Sequence, residues 1–209
     1  MNIVKTLIVS SGLGALAACG GSNSGADEFV LSSGVLDDVE LPTGENLSEL
    51  PAFVQDLVGE FDDLNTTNAT TTTLPVGGAT YSGTMGFEVD EDAFFVGDLV
   101  MAADFDSRSF DGTYSDISGV NEDGDTLNVV GSVPVMTTIG SDAEGVTFAG
   151  TAEGDVTLEG DNYRFNVTLN GAFGGDNADI ALADVEGNIF DYSDDSYDDV
   201  FGLAALEKD

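Results

Sequence analysis

The chain has 209 residues, 40 of them acidic against 4 Lys and Arg, and a formal net charge of −36. That charge excludes nucleic acid as a partner, because phosphate binding needs clustered Lys and Arg, and it repels anionic headgroups, so membrane contact requires a lipid or a spanning segment. A 42% hydrophobic content in regular alternation excludes a disordered chain, and the acidity fits either adaptation to salt, which screens repulsion beyond ~8 Å, or a basic partner.

Residues 1–18 have the outline of a secretory signal: Lys5 in a short n-region, an apolar stretch from Thr6 to Leu16, then small residues. The stretch is too short to cross a bilayer as a helix. Its end, Leu16-Ala17-Ala18-Cys19, resembles the lipobox of bacterial lipoproteins. That resemblance implies cleavage before Cys19, a thioether diacylglycerol on its sulfur and an acyl chain on the new amino terminus. Several acyl chains anchor a protein stably where one is marginal. Cys19 is the single cysteine, so no disulfide framework competes for it. Gly20 follows it where a retention signal would place Asp, which by the enteric sorting rule sends the lipoprotein to the outer membrane.

Residues 19–45 are Gly/Ser-rich and then acidic, the composition of a flexible tether. Over 46–64 the period changes. Leu50, Phe53, Val54, Leu57, Val58, Phe61 and Leu64 recur every three or four residues and predict an amphipathic helix, with Ser48 as N-cap and Pro51 in the first turn. Its acidic opposite face argues against a membrane surface and for packing on its own domain. Residues 65–78, with a run of threonines, read as a linker or as an extended approach to a strand.

From residue 79 to 209 the period is two. Tyr81, Met85 and Phe87 share one face, as do Leu99, Met101, Ala103 and Phe105, and likewise Phe165, Val167 and Leu169. Turn signals near 91, 107, 123, 142, 160, 175 and 195 separate eight strands, with no room for crossover helices. The expected fold is therefore all-β: an eight-stranded antiparallel barrel with its apolar face inward, closed on itself to remove its edges. A transmembrane barrel would reverse that pattern, apolar outside and polar within. Glycines 83, 112 and 150 at inward positions suit the sharp bends of closure.

A short element recurs in this region: Tyr81-Ser82-Gly83-Thr84, Phe110-Asp111-Gly112-Thr113 and Phe148-Ala149-Gly150-Thr151. Together with "GAFGGDNADIALADVEGNIF" (171–190) and the closing "DDVFGLAALEKD", these motifs resemble, in order, the C-terminal barrel domain of transferrin-binding protein B and its relatives. The resemblance covers 79–209 and implies a lipoprotein barrel that displays a ligand-binding surface, often for iron or haem acquisition. That family carries two lobes where this chain has one, and its transferrin contacts lie outside the matched segment, so no contact residue transfers.

Within 171–190, Gly174-Gly175-Asp176-Asn177-Ala178-Asp179 approaches a calcium nonapeptide, but such repeats work in stacked copies and this is one. No Lys or helix start follows the glycines to make a phosphate loop. The stretch reads as a strand end, a tight turn and the seventh strand. The absence of His, with Cys19 lipidated, excludes zinc sites and His-based triads, and no carboxylate spacing singles out a catalytic pair. The chain is read as non-catalytic, with no cofactor beyond the lipid.

The sharpest candidate for a ligand site is "DYSDDSYDD", where Asp191, Asp194, Asp195, Asp198 and Asp199 supply the hard oxygens that calcium takes. The alternative is a solvated acidic loop. For haem, Tyr side chains and Met85, Met101 and Met136 are the available axial ligands. The expectation is a lipid-anchored binding module of the outer membrane, its partner an unknown protein, iron or haem. The alternative is a structural envelope lipoprotein of a salt-adapted bacterium with no small-molecule ligand.

Overall fold

The computed structural model describes residues 35–36, 50–90, 93–121, 123–142 and 144–209. Cys19, the signal segment 1–18 and the tether apart from Val35 and Leu36 lie outside these residues, as does Ser48.

The helix, α1, spans Ala52–Thr67. Pro51 stands just before it, and its carbonyl accepts from the N–H groups of Val54 (2.9 Å) and Gln55 (3.1 Å). The helix runs three residues past Leu64, the last apolar position of the pattern. Its final threonines bond back to the preceding turn: Thr66 Oγ1 donates to Asp62 O (2.7 Å) and Thr67 Oγ1 to Asp63 O (2.6 Å). Asn68 Nδ2 then donates to the carbonyl of Leu64 (2.9 Å), covering one of the acceptors a helix end leaves open.

Nine strands follow: β1 Gly78–Val89, β2 Ala93–Asp104, β3 Ser109–Asn121, β4 Thr126–Val130, β5 Val133–Ser141, β6 Val146–Leu158, β7 Asp161–Gly174, β8 Ile180–Asp191 and β9 Ser196–Lys208. All named pairings are antiparallel, and β1 pairs with both β2 and β9, so the sheet closes. The result is an eight-stranded antiparallel barrel with one extra strand. β4 and β5 run one after the other along a single stave: β4 lies between the end of β3 and the end of β6, β5 between their starts. Gly131, at φ +135°, makes the break between them. The seven expected turns all fall between strands, and the interrupted fourth stave accounts for the ninth.

Alternation decides what fills the barrel. Tyr81, Leu99, Phe110, Tyr114, Val167 and Leu169 are buried inside, while the residues between them face outward. The apolar face is therefore inward, the reverse of a barrel built to face lipid.

Four segments abandon the alternation: the end of β1, Met85 to Glu88, and three that carry an apolar outer face. The end of β7, the start of β8 and the end of β9 are buried on both faces. Their outward residues Ala172, Ile180, Leu182, Leu203 and Ala205 form a second apolar cluster with Leu57, Val58 and Phe61 of α1 and with Val35. The helix thus packs on its own barrel, and Val35, which precedes it in the chain, is held there too. Asn65, fully buried, treats Leu36 as a paired strand residue: its Oδ1 accepts from Leu36 N (2.8 Å) and its Nδ2 donates to Leu36 O (3.1 Å). The tether reading of 19–45 therefore meets an anchored point at Val35–Leu36.

The threonine run serves as an extended strap. Thr71 N donates to Phe173 O (2.8 Å), Thr71 O accepts from Val146 N (2.7 Å), and Thr71 Oγ1 donates to Gly175 O (2.7 Å), joining the end of β7 to the start of β6.

Candidate functional site: the open mouth of the barrel

The two ends of the barrel differ. At the end where β1 begins and β9 finishes, Tyr81, Phe105, Phe110, Phe148 and Phe173 meet ring to ring, with centroids 5.0–5.7 Å apart. Edge-to-face rings fill space densely and add to what their burial contributes. The turn between β7 and β8 folds over them, and Tyr81 Oη donates to the carbonyl of buried Ala178 (2.5 Å). Together with the Thr71 strap this end is closed.

The other end, where β1, β3, β6 and β8 finish, holds an open cavity of about 230 Å³. Its floor is aromatic. Phe95 and Phe165 reach it, and Phe87 packs against both, with centroids at 5.5 and 5.0 Å. Its wall is aliphatic: Val89, Ala93, Ile117, Leu127, Val129, Val156, Leu158 and Ile189. Three polar side chains, Asp90, Asp198 and Tyr163, complete the lining.

These three are placed by strand phase. On β9 the inward series runs Ser196, Asp198, Val200, and Asp198 stands opposite Ile189 of β8. Asp90 follows β1 with φ +50°, and its Oδ1 accepts from Asp199 N (2.9 Å), which ties the rim of β1 to β9. Tyr163 pairs with Asp191 across β7 and β8. Partial burial, and then the neighbouring charge of Asp90, raises the Asp198 carboxyl above the ordinary carboxylate range. Burial and the Asp191 charge raise the Tyr163 hydroxyl in the same way.

The acidic segment divides along the same geometry. Asp191 accepts from Ser193 N (2.7 Å) and Asp194 from Ser196 N (3.1 Å), each closing a tight local turn. The bond from Ser193 holds the Asp191 carboxyl below its usual range. Asp195 occupies the turn itself at φ +61°. Asp198 points into the mouth, and Asp199 is on the opposite, outer phase. Among the described residues no three acidic side chains come together to hold a metal ion. The five aspartates, a candidate ligand set beside the alternative of a solvated acidic loop, are parted by the turn and by strand alternation.

Tyr192 and Tyr197 lie outside, each against Phe190 (centroids 5.0 and 4.8 Å), with Tyr192 Oη donating to Asp155 (3.2 Å). Met85 and Met101 are in the core, and Met136 is exposed on the outer face. None of the three lines the mouth. The sequence reading missed Asp90 and missed the separate position of Asp198. The signal for Asp198 was present: counting back by two from apolar Val200 puts a charge at an inward position.

The chain matches no known family model, and no curated protein matches it.

Proposed function

We propose that the protein is a lipid-anchored, non-catalytic binding module of the bacterial outer membrane, which takes its ligand in the open mouth of the barrel. Cys19 carries the diacylglycerol and acyl chains, and Leu16, Ala17 and Ala18 direct the cleavage that exposes it. The resemblance to the transferrin-binding protein B barrel extends the reading to iron or haem acquisition. Of the Tyr and Met side chains, Tyr163 is the one among the described residues that the mouth presents to such a ligand.

The observation that supports ligand binding is the asymmetry of the barrel. One end is filled by five aromatic rings, while the same stave positions at the other end leave a cup of about 230 Å³. A barrel with only a structural role gains dispersion contacts by filling both ends. Eight staves enclose space for side chains or for one small ligand, and this chain divides its interior between the two.

Two measurements test the reading. Cys19→Ala should move the protein from the membrane to the soluble fraction; retention in the membrane would overturn the anchor. In the purified full chain, 1-octanol should shift the amide resonances of Val89, Leu127 and Ile189 and leave Phe105 and Phe173 unmoved. Silence at the mouth up to saturating octanol would overturn ligand binding.

A further inference from the structure

We propose that the mouth is a site for a small organic cation, a protonated amine on an apolar chain or ring of roughly nine heavy atoms. The inference rests on the mouth being a binding site and adds the size and charge of what enters it.

Size follows from the cup. An apolar protein cavity of about 150 Å³ admits benzene, and this one measures about 230 Å³. Shape and polarity follow from the lining: aromatic floor, aliphatic wall, and polar groups at the rim. Such a site takes a ligand with an apolar body and one polar end, orienting the polar end outward.

Charge follows from Asp90 and Asp198. An inward strand position is where an apolar residue would extend the core, yet β9 places a carboxylate there, close enough to Asp90 for the two to interact. Among the described residues no protein cation answers them. Arg164 lies on the outer face, paired with Glu153 and with Asp155 (3.5 Å). Lys208 donates to Asn177 O (3.2 Å) at the closed end, and Arg108 sits in the turn between β2 and β3, also at the closed end. The charges facing Asp198 are those of Asp90, Asp194 and Asp191, all of its own sign. A cationic head on the rim relieves that repulsion while its tail covers the apolar wall. A bare metal ion would leave the wall in water, and the described residues offer it no three-carboxylate set.

The test compares four probes by calorimetry on the full chain at neutral pH and low salt: octylamine, 1-octanol, octanoate and tetramethylammonium. Octylamine should bind about tenfold more tightly than 1-octanol, with octanoate and tetramethylammonium silent. Asp198→Asn should bring octylamine down to the affinity of 1-octanol while leaving 1-octanol unchanged, and Asp90→Asn should act in the same direction. Equal affinity for octylamine and 1-octanol in the native chain overturns the cation and leaves the cup as a binding site. Tetramethylammonium binding as tightly as octylamine also overturns the proposal, since the general negative field then accounts for the attraction. Silence from both octyl probes removes the cup as a site and the cation with it.

Discussion

A methyl group placed on two different glycines should change stability in opposite directions. In the recurrent aromatic-x-Gly-Thr element, Tyr81, Phe110 and Phe148 build the plug of the closed end, and the glycine two residues later meets the backbone of the paired strand. A Cβ on Gly112 would fall on the carbonyl oxygen of Val100 and within 2.8 Å of Met101 Cα, both held by the β2–β3 ladder. Gly112→Ala should cost about 2 kcal/mol or more, since backbone cannot swing aside as a side chain can. Gly59 in α1 is exposed, with open space around it. Gly59→Ala should stabilise by ~0.5–1 kcal/mol, because alanine gives up less chain entropy in a helix. Urea denaturation of the two variants checks the pair; a loss at Gly59 or a gain at Gly112 refutes the account. Tyr114 makes a third case. Its ring is buried against Gly97, and its hydroxyl has no hydrogen-bond partner among the described residues. Removing an unsatisfied buried hydroxyl lifts its desolvation cost, so Tyr114→Phe should raise stability by about 1 kcal/mol in the same assay.

At the scale of elements, α1 is held by one face. Phe61 is fully buried between the helix and the outer sides of β8 and β9. Phe61→Ala should cost about 3 kcal/mol or more. The barrel interior does not include Phe61, so near-ultraviolet circular dichroism of the aromatic plug should survive in the variant; its loss would show the two clusters to be one cooperative unit. The staves were legible in the sequence because inside and outside alternate there with period two, as in Leu99, Met101 and Ala103. The docking face was written differently, as runs without alternation in 180–183 and 203–206, which mark strands covered on both sides. The division of the fourth stave was harder to see, since a Gly-Ser pair breaks many strands harmlessly. The mouth was legible only in part. "DYSDDSYDD" drew attention as a cluster of charge, but which carboxylate faces inward depends on strand phase, and Asp90 reaches the site from more than a hundred residues earlier through closure of β1 on β9. Composition carries no trace of such a contact.

For the molecule as a whole, charge sets the pH at which the fold is firmest. Burial raises the carboxyls of Asp184 and Glu60, and burial with the Asp90 charge raises that of Asp198. An acid raised on folding holds its proton more tightly in the folded chain than in the unfolded one. Stability is therefore lost as pH climbs from the ordinary carboxylate value toward the raised one, and the loss is complete above it. Mutual repulsion in a chain of net charge −36 adds to this loss as the remaining acids ionise. Asp104 and Asp191 act in the other direction: turn N–H groups hold their carboxyls low, so they support the fold until pH falls below the ordinary value. The melting temperature should accordingly rise as pH is lowered from 7 to about 4.5 and turn down below about 3.5. Salt separates the two causes of the rise. At 1 M the screening length is about 3 Å, which suppresses repulsion among surface carboxylates but leaves the cost of ionising partly buried Asp184. The rise should therefore shrink in 1 M salt without vanishing, and Asp184→Asn should shrink what remains. A melting temperature that is flat from pH 7 to 5 at low salt, or that climbs with pH, would refute this balance.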